Sequence, residues 1–539
     1  MSDSNNLFLR QATGLVRSWS VFDAFIYATF SINLITLGLY IFSFAPYLPD
    51  AHLVPAVVVA GIFVMFVVIV YAMMISVLPR AGGDYVWQSR ILGGGIGFVM
   101  ALTGWVLILW LWVPLYGNMM VWNVFTPLLT LLGSITGSQA LMQAGLWFGE
   151  TNGLFAGSLI VIGLAFFLVS IGMSWYARIQ KFCFFLGMAG LVTVFVLLLA
   201  NGKADFINGF NGYVLQNFGA ANAYETILQS AEAGGYVPIA WNNMGIMASL
   251  PLIPMVVFFI LWPNWGSTLY GEVRGATEFK KNFNGMGLGV VVTTVLAVVL
   301  FSLINKTFGW DFYLAANYAF YEGVSPYPIF PFPGLLAAYL TTNPLLQLWV
   351  IVALSGWFFG WCGTVFLSST RVLFAAAFDR MLPEWVARIN PATRSPINAL
   401  IIMTIPSIIV SFLFFYMPGF DTWTMNSTAV LTLTFLVTTV AAIILPYQEK
   451  ELYNSSPIAK YTVFGLPAIS VAGVILALFL IFNLVMWFKD DVYGINNPIS
   501  TVFMLVLYGL AIGAYWYYRR QNVKQGVNME HLYKQIPLE

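Results

Sequence analysis

Long apolar runs separated by short polar clusters recur along the whole chain. A helix needs about 20 mostly apolar residues to cross roughly 30 Å of hydrocarbon. Twelve runs meet that length, near 19–46, 54–77, 96–121, 154–175, 180–200, 246–273, 284–305, 345–369, 396–416, 426–446, 461–487 and 497–518. The stretch 123–149 is also semi-apolar. Gly133, Ser134, Thr136, Gly137, Ser138 and Gln139 interrupt it, so it reads as an interfacial loop. The pattern predicts an all-α integral membrane protein of twelve transmembrane helices.

The placement of charge tests that count. With the N-terminus taken as cytoplasmic, 19 of the 22 basic residues fall in cytoplasmic segments, as the positive-inside rule requires. Only Lys203, Lys306 and Lys489 lie outside. A thirteenth span at 123–149 would reverse everything after it and destroy the asymmetry. The reading is therefore a multi-pass protein of the cell membrane with both termini cytoplasmic. It divides into a cytoplasmic N-terminus (1–18), five spans (19–200), an extracellular connection (201–245), five more spans (246–446), two further helices (447–518) and a cytoplasmic tail (519–539). The long connections 201–245 and 307–344 are either lids or solvated connectors, and Ala221–Ala233 has the composition of a short surface helix.

Composition agrees. Apolar residues make up 60% of the 539 residues and charged residues 8%, against roughly 25% charge in soluble domains. Net charge near +1 offers no basic field for nucleic acid. The two cysteines, Cys183 and Cys362, lie in apolar runs, and the two histidines, His52 and His531, lie in polar segments. That leaves too few ligands for a bis-histidine haem or a zinc site, and no cofactor is expected. The polar stretch Met1–Gln11 is not followed by a leader with a cleavage site, so none is expected. Gly93-Gly94-Gly95-Ile96-Gly97 follows no strand and reads as a membrane-entry turn rather than a phosphate loop.

Two spans break the apolar pattern at their centres. Span 1 carries Ser31-Ile32-Asn33, and span 6 carries Trp262-Pro263-Asn264-Trp265-Gly266. A mid-helix proline costs about 3 kcal/mol unless the helix is already open. Pro263 marks either a break or a buried kink, and Ser31 with Asn33 either a break or interhelical hydrogen bonds. The two interruptions stand five spans apart. Interrupted helices at matching places in two inverted repeats point to a transporter site. The expected architecture is a 5+5 inverted repeat with broken helices 1 and 6 and two peripheral helices.

Three further stretches carry a family resemblance. Leu78-Pro79-Arg80-Ala81-Gly82-Gly83-Asp84-Tyr85-Val86-Trp87 lies between spans 2 and 3. Leu269-Tyr270-Gly271-Glu272-Val273-Arg274-Gly275-Ala276 follows the span 6 break. Ser369-Thr370-Arg371-Val372-Leu373-Phe374-Ala375, with Asp379-Arg380-Met381-Leu382-Pro383, ends span 8. Together they resemble motifs of the amino acid–polyamine–organocation transporters. Relatives usually carry Gly-x-Gly where Ser31-Ile32-Asn33 stands and glycine where Trp262 stands. Some carry a span 5 lysine in place of a coupling cation; here span 5 offers only Lys181, near its cytoplasmic end.

The resemblance implies a small zwitterion between the two breaks, and helix physics suits one. Free amides at the start of a helical half favour a carboxylate, and free carbonyls at the end of one favour an ammonium. Amides near Ile32, Asn33 and Leu34 are expected to hold the carboxylate. Carbonyls near Phe258, Ile260 and Leu261 are expected to hold the ammonium, and Asn264 adds a side-chain bond. Ser31 belongs to the same lining. Trp105, Trp262, Trp265, Trp357 and Trp361 are either site rings or packing. Among membrane charges only Asp23 and Glu272 stand out. They form either an inner gate with Arg80, Arg274 or Arg371, or, for Asp23, a proton-coupling group. Thr364 is a weak candidate ligand for sodium. The expected function is secondary transport of a neutral amino acid by alternating access, driven by protons or sodium. The other reading is an accessory membrane subunit that does not transport.

Overall fold

The computed structural model describes residues 19–48, 52–239, 241, 247–493 and 495–534. The segment 1–18, the last residues 535–539, and 240 and 242–245 of the first long connection lie outside the described residues. Among the described residues, twelve helical stretches are long and apolar enough to cross a membrane. They are Val21–Phe42, Leu53–Val77, Gly94–Thr136, Thr151–Ser170, Met173–Ala200, Ser249–Glu272, Phe279–Thr307, Pro344–Phe378, Ile397–Tyr416, Phe420–Gln448, Ala468–Lys489 and Pro498–Lys524. These are spans 1 to 12, in the 5+5 inverted arrangement with two additional helices.

Burial separates centre from periphery. In spans 6 and 8 the apolar window is 89% buried within the protein, and in span 12 only 22%. Span 12 therefore presents most of its surface outward, as a peripheral helix in lipid does. Below, the face on which span 1 begins and span 12 ends is the terminal face, and the opposite one is the loop face.

The stretch 123–149 is not a loop. Span 3 runs on through the helix Thr126–Thr136, turns at Gly137 (φ 67°), and returns as the helix Gln139–Phe148. Of the residues that interrupt the pattern, Gly133 is a packing position, Gly137 makes the turn, and Ser138 caps the returning helix by accepting the Leu141 N–H. A Cβ on Gly133 would come within 2.7 Å of the Met142 amide nitrogen, and one on Gly145 within 2.9 Å of the Thr130 side chain. Because the hairpin turns back on itself, the span count stays at twelve.

The long connections on the loop face are also largely helical. Lys203–Phe218 and Ala223–Ala233 form two helices, with Phe206, Phe210, Tyr224 and Ile227 buried. Trp310–Tyr321 and Pro333–Ala338 form two more. Tyr224 stacks on Phe312 at 4.2 Å, which ties the two connections together.

Span 1 is broken at one residue. The helix Val21–Ile32 ends at Asn33, which is left-handed (φ 47°, ψ 80°), and a wider π-helical turn follows over Leu34–Gly38. After glycine, asparagine is among the residues that best tolerate this conformation. Asn33 then caps the new turn, its Oδ1 accepting the Thr36 N–H at 2.9 Å.

Span 6 is broken more widely. Ile253–Ile260 stops, Leu261 and Trp262 form the corner, and a 3₁₀ segment runs from Pro263 to Glu272. Pro263 is the first residue of that segment, where a helix needs no N–H. The proline starts a new half rather than kinking an old one.

Candidate functional site

On the loop face a cavity of about 390 Å³ descends between spans 1, 3, 6, 8, 9 and 10 to the span 6 break. Leu37, Tyr40, Ile41 and Phe44 form one wall, and Trp112, Leu115, Tyr116 and Met119 another. Phe258, Trp262 and Trp361 close the bottom, while Phe414, Asp421, Thr424, Met425, Ser427 and Thr428 complete the rim. Asp421 and Met425 are exposed, so the cavity opens to the loop face.

The floor is a set of interlocked rings. Trp361 stacks on Tyr116 with centroids 3.7 Å apart. Trp112 meets Trp262 edge-on at 5.3 Å and lies parallel to Trp265 at 5.8 Å. Trp265 rests on Trp105 at 4.7 Å. The Trp265 indole donates to the Thr364 carbonyl at 3.1 Å, holding spans 6 and 8 together beneath the floor.

Of the residues expected to bind substrate, Phe258, Trp262 and Trp361 line this cavity. Ser31, Ile32, Asn33, Leu34, Trp105, Leu261 and Asn264 are buried outside its lining. The side chains of Ser31 and Asn33 are engaged within the protein, while those of Trp105 and Asn264 find no hydrogen-bond partner among the described residues. Ser31 Oγ donates to the Tyr27 carbonyl at 2.7 Å, and Asn33 Nδ2 donates to the Trp357 carbonyl of span 8 at 3.1 Å. The Asn33 N–H still donates to the Thr29 carbonyl. The Phe258 carbonyl accepts the Trp262 indole N–H at 2.7 Å. The span 6 break thus carries its own plug, a donor seated on the carbonyl expected to meet an ammonium. Asn264 lies beside the Tyr71 hydroxyl without closing a well-formed hydrogen bond. The Thr364 hydroxyl lies 3.5 Å from the Tyr116 hydroxyl. Among the described residues no group of three or more His, Cys, Asp or Glu gathers to hold a metal.

The terminal face is closed. Arg371 of span 8 meets Glu272 at the end of span 6 through two bonds, Nε–Oε1 at 2.8 Å and Nη2–Oε2 at 3.2 Å. Arg90 grips Asp379 with both terminal nitrogens, Nη2–Oδ1 at 2.8 Å, and the Tyr85 hydroxyl adds a third bond to Asp379 at 2.9 Å. Lys181 of span 5 pairs with Asp23 at 2.8 Å. Asp23 also closes a capping box with Ser20 at the start of span 1. Backbone bonds from Trp19 N to the Glu272 carbonyl and from Arg274 N to the Trp19 carbonyl tie the start of span 1 to the end of span 6. Arg80 is partly exposed and donates to the Pro79 carbonyl at 3.3 Å.

Sequence reasoning missed several of these groups. Trp112, Tyr116 and Met119 share a face of span 3 with Trp105, and their spacing of seven, four and three residues was the available signal. Arg90 and Asp379 carried no such signal, since they are paired only across the fold. Asp23 and Glu272 are not alone as buried charges: Arg371 within span 8, and Asp84 between spans 2 and 3, are each 0% exposed. Burial holds the Asp84 carboxyl above the usual carboxylate range, opposed by hydrogen bonds from Thr438, Tyr71 and Ser267.

A family model for amino acid permeases matches residues 20–511. The chain belongs to the amino acid permease family. This permease is 24% identical over 364 residues to the branched-chain amino acid permease BcaP of Lactococcus lactis subsp. cremoris (strain MG1363), an alignment covering 67% of each chain. Its fold is similar to that of MhsT, solved in complex with L-phenylalanine, with a TM-score of 0.52 and 14% identity. That superposition covers 86% of the permease and 97% of MhsT. The family and the twelve spans make the permease a multi-pass membrane protein of amino acid transport.

Proposed function

We propose that the permease is a secondary transporter of neutral, apolar amino acids working by alternating access, with its loop face outside and its terminal face in the cytoplasm. The observation that carries this reading is the cavity that ends at the span 6 break. Its floor is made of rings and its walls hold no lysine, arginine or histidine. Its size lies within the roughly 300–1,000 Å³ of small-molecule sites. A cationic side chain at the floor would be an unpaired buried ion, and an acidic one would find no cation there; each costs several kcal/mol. Asp421, the one carboxylate of the lining, stands at the exposed rim.

Alternating access is supported by the asymmetry between an open loop face and a terminal face locked by ion pairs. The likeness to a branched-chain permease favours the same substrate class. In the bound state the Phe258 carbonyl takes the substrate ammonium after the Trp262 indole leaves it. Amides of the span 1 turn after Asn33 take the carboxylate. The second reading, an accessory subunit, is favoured by one observation: Ser31, Asn33 and Trp262 already donate to the Tyr27, Trp357 and Phe258 carbonyls within the fold.

Uptake into proteoliposomes tests both. Valine, leucine, isoleucine and phenylalanine should compete for uptake better than arginine, lysine or glutamate. The reverse order would refute the substrate class, and the absence of uptake or exchange for every amino acid would favour the accessory reading.

A further inference from the structure

Asp84 begins the short helix Asp84–Ile91, between spans 2 and 3, and its carboxyl is shut off from water. Hydroxyls from three spans surround it. Tyr71 of span 2 donates to Oδ1 at 2.7 Å, and Thr438 of span 10 donates to the same oxygen at 2.6 Å. Ser267, in the 3₁₀ half of span 6, lies with its Oγ 3.3 Å from Oδ2. Thr438 itself accepts a bond from Gln88 Nε2 at 2.7 Å, which commits its own proton to Asp84.

No cation forms an ion pair with Asp84 among the described residues. The charges on surrounding elements are matched to other partners. Arg371 of span 8 holds Glu272 of span 6, and Arg90 of the same short helix holds Asp379. Tyr85 donates to Asp379, and Tyr533 of the terminal helix Met529–Lys534 lies against Arg90. His531 and Lys534 of that helix are exposed. Span 10 meets Asp84 with Thr438, and span 2 meets it with Tyr71. A buried carboxylate held by hydroxyls and its own backbone N–H, rather than by a cation, is costly to keep ionised, and such groups change protonation rather than stay unpaired.

Its position ties that change to span 6. The Gly82 N–H donates to the Thr268 carbonyl at 2.9 Å. Gly83 lies so close to span 6 that a Cβ there would come within 2.9 Å of the Ser267 and Thr268 backbone. The motif bearing Asp84 is therefore clamped to the 3₁₀ half that runs back to Pro263. On the other side Tyr71 faces Asn264, in the break itself.

We propose that Asp84 is the proton-binding group of this permease, and that its protonation acts on span 6 through Ser267; the inference rests on the transport reading above. A proton from water on one face forms an O–H bond at Oδ2. Oδ1 keeps its two hydroxyl donors, while Oδ2 turns from acceptor to donor towards Ser267. The Ser267 hydroxyl keeps its O–H bond and rotates to donate to another acceptor, so the contact between the two segments changes sense. Release of the same proton to water on the opposite face restores the carboxylate, with no other bond made or broken. The alternative, a hard cation among these oxygens, is less suited, because two hydroxyl protons already point at Oδ1.

The test uses the full chain in liposomes with the amino acid that competes best in the panel. For the wild type, an acid-outside pH gradient should drive accumulation, and a protonophore should collapse it. Asp84→Asn should lose gradient-driven accumulation and retain exchange of labelled for unlabelled substrate. Thr438→Val removes one donor to the carboxylate and should move the pH midpoint of uptake upward by about one unit. Infrared difference spectra between acid and neutral pH should show a protonated-carboxyl band in the wild type that is missing in Asp84→Asn. The proposal is overturned if Asp84→Asn accumulates substrate with the wild-type pH response. It is equally overturned if Thr438→Val leaves the midpoint unmoved, or if a sodium gradient alone drives uptake. A wild type that neither takes up nor exchanges any amino acid overturns the transport reading and this inference with it.

Discussion

Arg371 and Glu272 face each other through two parallel hydrogen bonds, with side-chain exposures of 1% and 2%. The pair joins span 8 to the end of the 3₁₀ half of span 6. Removing one partner of such a pair leaves a buried charge uncompensated, at a cost of about 3–5 kcal/mol. Arg371→Ala and Glu272→Ala should each lower the melting temperature in detergent and reduce uptake. The double variant Arg371→Glu/Glu272→Arg should recover part of both. Single variants with unchanged melting would show that the pair contributes nothing to closing the terminal face.

Trp262→Phe keeps a ring in the cavity floor and removes the donor now on the Phe258 carbonyl. The freed carbonyl should meet the substrate ammonium without competition. One neutral hydrogen bond is worth roughly 0.5–1.5 kcal/mol, so substrate should bind up to about tenfold more tightly in calorimetric titration. Weaker binding would mean that the indole itself holds the substrate.

Labelling tests the orientation. Cys183 and Cys362 are both buried, which leaves a low background. A membrane-impermeant maleimide applied outside intact cells should reach Glu232→Cys on the loop face, where the residue is exposed. It should not reach Arg388→Cys on the terminal face until the membrane is permeabilised. The opposite pattern would invert the proposed topology.

Gly117 lets span 3 lie against span 4. A Cβ there would come within 2.1 Å of Ser158 Oγ and 2.8 Å of its backbone nitrogen. Gly117→Ala should destabilise the permease by roughly 1–3 kcal/mol, the range for overpacking. Gly163→Ala, where a Cβ meets nothing within 4 Å, should be neutral or stabilising by up to about 1 kcal/mol. Parallel melting curves of the two variants decide it.

The twelve spans and the two breaks were legible along the chain, because lipid demands about 20 apolar residues per crossing whatever packs beside them. Pro263 and Asn33 were legible for a similar reason: each restricts its own backbone, one by its ring and the other by its tolerance of a left-handed turn. The hairpin 126–148 reads as a loop along the chain because a glycine such as Gly133 serves equally as a loop residue and as the close contact of two helices; only the neighbouring helix distinguishes the two uses. The partners of charges were decided by the tertiary structure alone. Arg90 with Asp379, Lys181 with Asp23, and Asp84 with three hydroxyls join residues from 13 to 354 positions apart. Coulomb attraction and hydrogen bonding act over a few ångströms in space, so a sequence determines which groups are available, and the packing of its helices decides which ones meet.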